Sequence, residues 1–301
     1  MTPEIEKRIK LVKAGKVPAG YKRTKIGIVP KEWHETLLSD YLKVSKEKNK
    51  ELRYSKEDVF SISGELGIVN QIELLGRSYA GASVAPYGIV KPKDIVYTKS
   101  PLKSNPYGII KANKTGKTGI VSTLYAIFNC KNNVSSDYIQ YYFESNKFVN
   151  DYLHPIVSIG AKHDMKISDE NSLKGSVVFP SLPEQEKIAE ILAAQDRVIE
   201  LKEKLVAEKI QVKDGISQQL LSGQRRLLGC NGDWKKSFFK SIIKVISGFA
   251  FDSGEFSDIG MPVVRIQNIA NGVVETSNAL KHPIVEIDED FIATRGDVLV
   301  A

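Results

Sequence analysis

Between Lys91 and Lys117 the chain carries seven lysines, at 91, 93, 99, 103, 111, 114 and 117, against a single acid, Asp94. Ammonium groups of this density neutralise phosphates. The interleaved Tyr97, Ser100, Asn105 and Tyr107 supply the hydroxyls and amides that contact sugars and base edges. A second cluster, Gly160-Ala161-Lys162-His163-Asp164-Met165-Lys166, has the glycine and polar side chains of an exposed loop. From these two stretches Lys99, Lys103, Asn105, Tyr107, Lys162, His163 and Lys166 are the candidate DNA-facing residues. A solvated basic surface with no partner is the plain alternative for both.

Residues for bond-making chemistry are not grouped in the sequence. The histidines at 34, 154, 163 and 282 have no companion at metal-ligand spacing, and Cys130 and Cys230 lie outside any Cys-x-x-Cys pair. No Gly-x-x-x-x-Gly-Lys loop is present for nucleotide phosphates. Asn105-Pro106-Tyr107 lacks the second proline of an Asn-Pro-Pro-Tyr loop, and no glycine-rich cofactor loop precedes it. Pro92-Lys93-Asp94 has no Glu-x-Lys triplet after it on a matching strand to complete a nuclease centre. Its repetition as Arg295-Gly296-Asp297 points instead to a tight turn entering a strand. The expectation is a non-catalytic chain that holds neither metal nor cofactor.

The whole composition agrees with a polyanionic partner. The 301 residues carry a formal charge of +7, with a pI near 9.1. The first residues are charged and resemble no signal peptide, and no stretch approaches the length of a membrane span. A cytoplasmic protein with no membrane attachment is expected, and the absence of a cysteine framework fits a reducing compartment.

Positioning these residues requires more than one domain. Residues 1–28 form a basic arm, with a charged helix through about Lys13 broken by Gly15, Pro18 and Gly20. Residues 29–182 mix short β-like runs, Val59–Ile62, Asp94–Tyr97 and Leu124–Phe128, with a helical segment from Ser136 to Leu153, giving a globular α+β domain. Residues 183–223 then read as one long helix. Ser181 and Glu184 have capping-box spacing, Pro183 sits in the first turn and Gly223 ends it. Along it apolar residues recur at heptad spacing: Ile191/Leu192, Val198/Ile199, Leu205/Val206, Val212 and Leu220. Such a seam seeks a partner helix, and a segment about 58 Å long at 1.5 Å per residue acts as a spacer.

From residue 224 the sequence echoes its own beginning. Glu32-Trp33, Leu37-Leu38 and Leu42-Lys43-Val44 return as Asp233-Trp234, Phe238-Phe239 and Ile243-Lys244-Val245, at an offset of 201. Val59–Ile62, Gly67-Ile68-Val69 and Asp94-Ile95-Val96 return as Val263–Ile266, Gly272-Val273-Val274 and Asp297-Val298-Leu299. A period this long indicates a duplicated domain, of which residues 224–301 are the start.

Pro180-Ser181-Leu182-Pro183-Glu184-Gln185-Glu186-Lys187-Ile188, leading into the heptad helix and closing with Gln218-Gln219-Leu220-Leu221-Ser222-Gly223, resembles the conserved region of type I restriction–modification specificity subunits. Gly20-Tyr21-Lys22, Gly27–Trp33 and Gly248-Phe249-Ala250-Phe251 resemble that family's domain openings. The resemblance implies target-recognition domains that each read half of a split double-stranded DNA site. It also implies docking of methyltransferase (modification) subunits that bind S-adenosylmethionine, and of motor-nuclease (restriction) subunits. Against this pattern the sequence stops within the second recognition domain, and the helix that would pair with the seam is missing. A half-subunit that homodimerises through the spacer helix is one expectation. A coiled-coil adaptor that binds proteins instead of DNA is the alternative.

Overall fold

A computed structural model describes residues 2–159, 165–270, 272–283 and 289–300; the side chains of Ile159, Lys166 and Ser253 are outside the description. The chain divides into two compact units, 1–210 and 211–301.

The first unit is built on an antiparallel sheet of four strands, β1 (Leu42–Val44), β2 (Ile95–Thr98), β3 (Ile109–Ala112) and β4 (Tyr125–Cys130), in spatial order β1-β4-β2-β3. Its apolar runs are continuous because both faces are covered. On one face Ile95, Tyr97, Ile110 and Phe128 pack against two helices, α2 (Ser136–Glu144) and α3 (Asn146–Leu153), through Tyr138, Ile139, Phe143 and Leu153. On the other, Val96 and Ile127 meet Phe60 and Ile68 of the 60–70 hairpin, together with Val90 and Val121. The N-terminal helix α1 (Pro3–Lys13) buries no residue.

The helical pattern over 136–153 resolves into two helices, not one. Ser145 adopts an extended conformation (φ −67°, ψ 115°), and its hydroxyl accepts from the Phe148 amide at 3.5 Å. A serine in a helix interior competes for the backbone; as an N-cap it satisfies it.

The register fixes two ends of this unit. At one, Thr98 lies opposite both Tyr125 and Ile109, so loop 99–108 and turn 122–124 emerge there. Val59 bridges Ile120 in parallel, so the 60–70 hairpin runs toward the same end and places its 64–66 turn there. The opposite end, beyond Cys130, receives the long helix α4 (Leu182–Leu221).

Gln185 makes that attachment. Its side chain is fully buried; Oε1 accepts from the Ser135 amide at 3.0 Å, while Nε2 donates to the carbonyls of Pro180 at 3.0 Å and Asn133 at 3.4 Å. Trp33 Nε1 donates to Glu184 Oε1 at 3.2 Å, Ala189 is buried, and the Tyr141 hydroxyl donates to Asp196 at 2.7 Å. Outside these contacts the helix leaves the core. Ile191, Leu192, Val198, Ile199, Leu205, Val206 and Val212 are exposed and Leu220 is half-buried, so the heptad seam has no cover among the described residues.

In the second unit the echoed segments keep local turns but not the sheet. Leu38–Asp40 and Phe239–Ser241 are both single 3-10 turns. Asp94 Oδ2 accepts from the Lys91 amide at 2.8 Å, and Asp297 Oδ2 from the Thr294 amide at 2.7 Å. The residue between is left-handed in both turns, Lys93 at φ 71° and Gly296 at φ 112°. The runs Val263–Ile266 and Asp297–Leu299 are not strands, however. Ile95 and Val96 are held between β3 and β4; Val298 and Leu299 are exposed with no neighbouring strand among the described residues.

Gln185→Ala removes the side-chain partner of three backbone groups, so a loss of about 2 to 3 kcal/mol is expected in urea unfolding followed by tryptophan fluorescence. An unchanged midpoint would show that the amide does not hold the helix.

Candidate nucleic-acid interface

The basic span does not form one surface. Lys91, Lys93, Lys114 and Lys117 flank the Ile95–Ala112 end of the sheet; Lys99 and Lys103 lie beyond the Thr98–Ile109 end. Lys111 lies between them, on β3, with its side chain only 4% exposed and 3.2 Å from Glu144. Carboxylates from distant parts of the chain also reach Lys91 (Glu47, 2.6 Å), Lys99 (Asp169) and Lys114 (Asp137, 3.5 Å). Lys114 in addition stands 4.7 Å over the Tyr141 ring. The exposed pairs are worth roughly 0 to 1 kcal/mol each, so phosphates can compete for Lys91 and Lys114 at little cost. Lys111 is a fold residue.

The described candidates, Lys99, Lys103, Asn105, Tyr107 and Lys166, nonetheless lie toward one end. Loop 99–108 closes on itself: Leu102 N–H donates to Asn105 O at 3.0 Å, and Asn105 N–H to Leu102 O at 3.1 Å. It ends at Gly108, left-handed at φ 90°, where a Cβ would stand 2.0 Å from the Thr98 carbonyl oxygen. The Tyr97 hydroxyl donates to the Tyr107 carbonyl at 2.8 Å and lies 3.6 Å from Met165 Sδ. Thus the loop shares an anchor with the small hairpin Ser158–Ile159/Met165–Lys166. Asn150 Nδ2 ties the loop to α3 through Ser104 O at 3.0 Å, and the Tyr107 ring meets His154 edge-on at 5.4 Å.

Lys103 is exposed with no ion-pair partner among the described residues, and Lys99 is partly sheltered by its pair with Asp169. Tyr107 is half-buried. Asn105 departs from the exposed amide that its loop position suggests: it is 5% exposed, and its buried Nδ2 has no hydrogen-bond partner. Lys162 and His163 lie outside the described residues. Lys166 belongs to the hairpin strand, its side chain outside the description.

The opposite end holds a cleft of about 460 Å³ lined by Lys93, Cys130, Asp137, Glu186 and Glu190. Burial, with Asp94 nearby, pushes the Cys130 thiol up to about 12, which keeps it protonated and unreactive. Burial likewise raises Asp94, although the Lys91 amide and Asn129 oppose the shift. Among the described residues no group of three or more His, Cys, Asp or Glu could hold a metal ion, and no helix is long and apolar enough to cross a membrane.

No family model matches the chain. A curated relative from Methanocaldococcus jannaschii is 23% identical over 291 residues, covering 91% of this chain. That relative is the MjaVIII type I restriction enzyme specificity subunit. The resemblance first carried by the Pro180–Ile188 motif is therefore met again over nearly the whole sequence, and the chain spans 64% of that subunit's length. Among solved structures it is similar to the HsdS subunit from Thermoanaerobacter tengcongensis, at 13% identity and a TM-score of 0.45, covering 90% of this chain and 67% of that one. It is also similar to the type I restriction–modification S subunit of M. genitalium, at 16% identity and a TM-score of 0.41, covering 76% and 58% respectively.

Sequence reasoning missed the role of Gln185. Its motif marked a family resemblance, while the buried amide that gives the motif its physical meaning needs Asn133 and Ser135, about fifty residues away. The burial of Lys111 was also missed, although its place in the apolar run Ile109-Ile110-Lys111-Ala112 was a signal.

Lys111→Ala should lower stability by about 1 to 3 kcal/mol, whereas Lys103→Ala should change it by less than about 0.5 kcal/mol. Thermal melts of the two variants decide between fold residue and surface residue at each position.

Proposed function

We propose that this chain reads double-stranded DNA as the specificity component of a type I restriction–modification complex, and performs no catalysis itself. The meeting of loop 99–108 with the strand pair Ser158–Ile159/Met165–Lys166 at the end of the sheet opposite the α4 anchor carries this reading. The family motif and the curated relative support it over a coiled-coil adaptor. In such a complex, methyltransferase subunits would bind S-adenosylmethionine and modify adenine, and motor-nuclease subunits would cut unmodified DNA. A base inside a duplex must be flipped out to be modified, so the task left to this chain is to position the duplex. Its place of action would be the cytoplasm.

Phosphate contacts would come from Lys99, Lys103, Lys162 and Lys166, and polar readout from His163 and Tyr107. Asn105 could join only if the loop opens. Residues 224–301 would belong to a second, duplicated recognition domain, a reading supported by the repeated turns at Leu38/Phe239 and Asp94/Asp297. The exposed heptad seam would be covered by an antiparallel helix from a second copy of the chain.

Selection of bound duplexes from a random library at near-physiological salt, with the chain co-expressed with its methyltransferase subunit, should enrich a split motif. Lys103→Ala should weaken binding to all sequences alike and lower the salt slope by about one. Enrichment of nothing, with binding that vanishes as salt rises, would overturn the reading.

Ile199→Lys with Leu205→Lys should shift a dimer to a monomer in sedimentation velocity while leaving helix content unchanged. A wild-type monomer at micromolar concentration would remove the paired-copy arrangement.

A further inference from the structure

Two exposed leucines stand at the same end of the sheet as the candidate DNA-facing loop. Among the described residues of the first unit, Leu124 (64% exposed) and Leu66 (62%) are the most exposed large apolar side chains. Single exposed leucines are ordinary on protein surfaces. These two share a construction and a location.

Each sits on a turn held by a serine hydroxyl. Ser63 Oγ accepts from the amides of Glu65 at 3.3 Å and Leu66 at 3.2 Å, and Gly67 follows at φ 71°. Ser122 Oγ accepts from the Leu124 amide at 3.2 Å, and Tyr125 N–H donates to Ser122 O at 3.1 Å. Both turns emerge at the Thr98 end, one through the Tyr125–Thr98 register and the other through the parallel Val59–Ile120 bridge. Loop 99–108, where Leu102 is also exposed, emerges at the same end. The turns fix the backbone, so the side chains are presented to solvent on a rigid base.

We propose that Leu124 and Leu66 form an apolar wedge that enters the base stack of the bound duplex. This rests on the DNA-reading function proposed above. An apolar side chain held rigidly beside phosphate-binding lysines is the device by which proteins unstack and kink a base step. The residues around Leu124, Ser122 and Thr123, carry no charge, which suits a groove floor. Glu65 beside Leu66 is repelled by phosphates and so keeps that turn away from the backbone, leaving it the groove and the stack. A kink at this position would help deliver the neighbouring adenine to a partner's active site.

The test uses the full chain co-expressed with its methyltransferase subunit. The probe is a duplex carrying the selected motif, with 2-aminopurine substituted in turn at steps other than the methylated adenine. Binding should raise the fluorescence several-fold at one step. Leu124→Ala should abolish that rise and weaken cognate binding by roughly tenfold, with random-sequence binding and the melting temperature unchanged. Leu66→Ala should do the same to a smaller degree. No rise with the wild type, or a rise that both substitutions leave intact, overturns the wedge while the sequence-reading function stands. Loss of the methyltransferase subunit from both variants with the fluorescence rise intact would assign the leucines to a protein contact and also overturn it. A wild type that selects no motif removes the reading beneath it.

Discussion

The side chain of Gln185 is the point at which three separated segments become one body. Its amide meets the carbonyl that ends the Ser176–Phe179 strand, the loop that follows β4, and the amide of Ser135, whose own hydroxyl caps α2. An amide has the right inventory for this, since one oxygen accepts while one nitrogen donates twice. An ionised glutamate has no donor at all, and a shorter side chain would leave the carbonyls dry. Because the site is fully enclosed, each missing bond would cost the desolvation of its partner, which makes the geometry exacting. The long helix therefore leaves the domain in a direction fixed by the core and not by the helix itself.

That fixed departure gives the rest of the unit its polarity. One end of the sheet is committed to the helix, with Trp33, Tyr141 and Ala189 supporting Gln185. The other is left to loops whose ends are pinned by Tyr97, Asn150 and two serines. The DNA-reading role proposed above would need this separation. Contacts at the loop end must be held in register with a distant second site, and a helix rigidly coupled through the sheet transmits position without touching the DNA.

The sequence disclosed some of this by mechanisms that are local. The long helix was legible because Pro183, Gly223 and the heptad repeat act within a few residues, and the Asp94 and Asp297 turns because a side chain bonds its own neighbouring backbone. The strand at Ile95–Thr98 was legible from its unbroken apolar run. What the sequence hid depends on pairing across the chain. Lys111 reads as one more surface cation until Glu144 and the α2 face enclose it, and Asn105 reads as an exposed amide until loop 99–108 closes on itself. The helix break at Ser145 was hidden for another reason, since a capping serine and an interior serine look alike without the backbone angle. In the second unit, local turn chemistry recurs at Phe239 and Asp297 without the sheet, because a run such as Val298-Leu299 becomes a strand only with neighbours beside it.

Charge illustrates the same distinction between local and assembled properties. Seven lysines within twenty-seven residues suggest a single electrostatic patch. Two-residue alternation and strand reversal scatter them to both ends of the sheet and its interior, and four acquire carboxylate partners. The exposed pairs remain exchangeable, because a surface ion pair in water is worth no more than the phosphate contact that would replace it. Loose cations of this kind confer affinity for any duplex. On the DNA-reading role proposed above, discrimination would have to come from groups whose positions the fold does not allow to vary, such as the pinned turns at the Thr98 end.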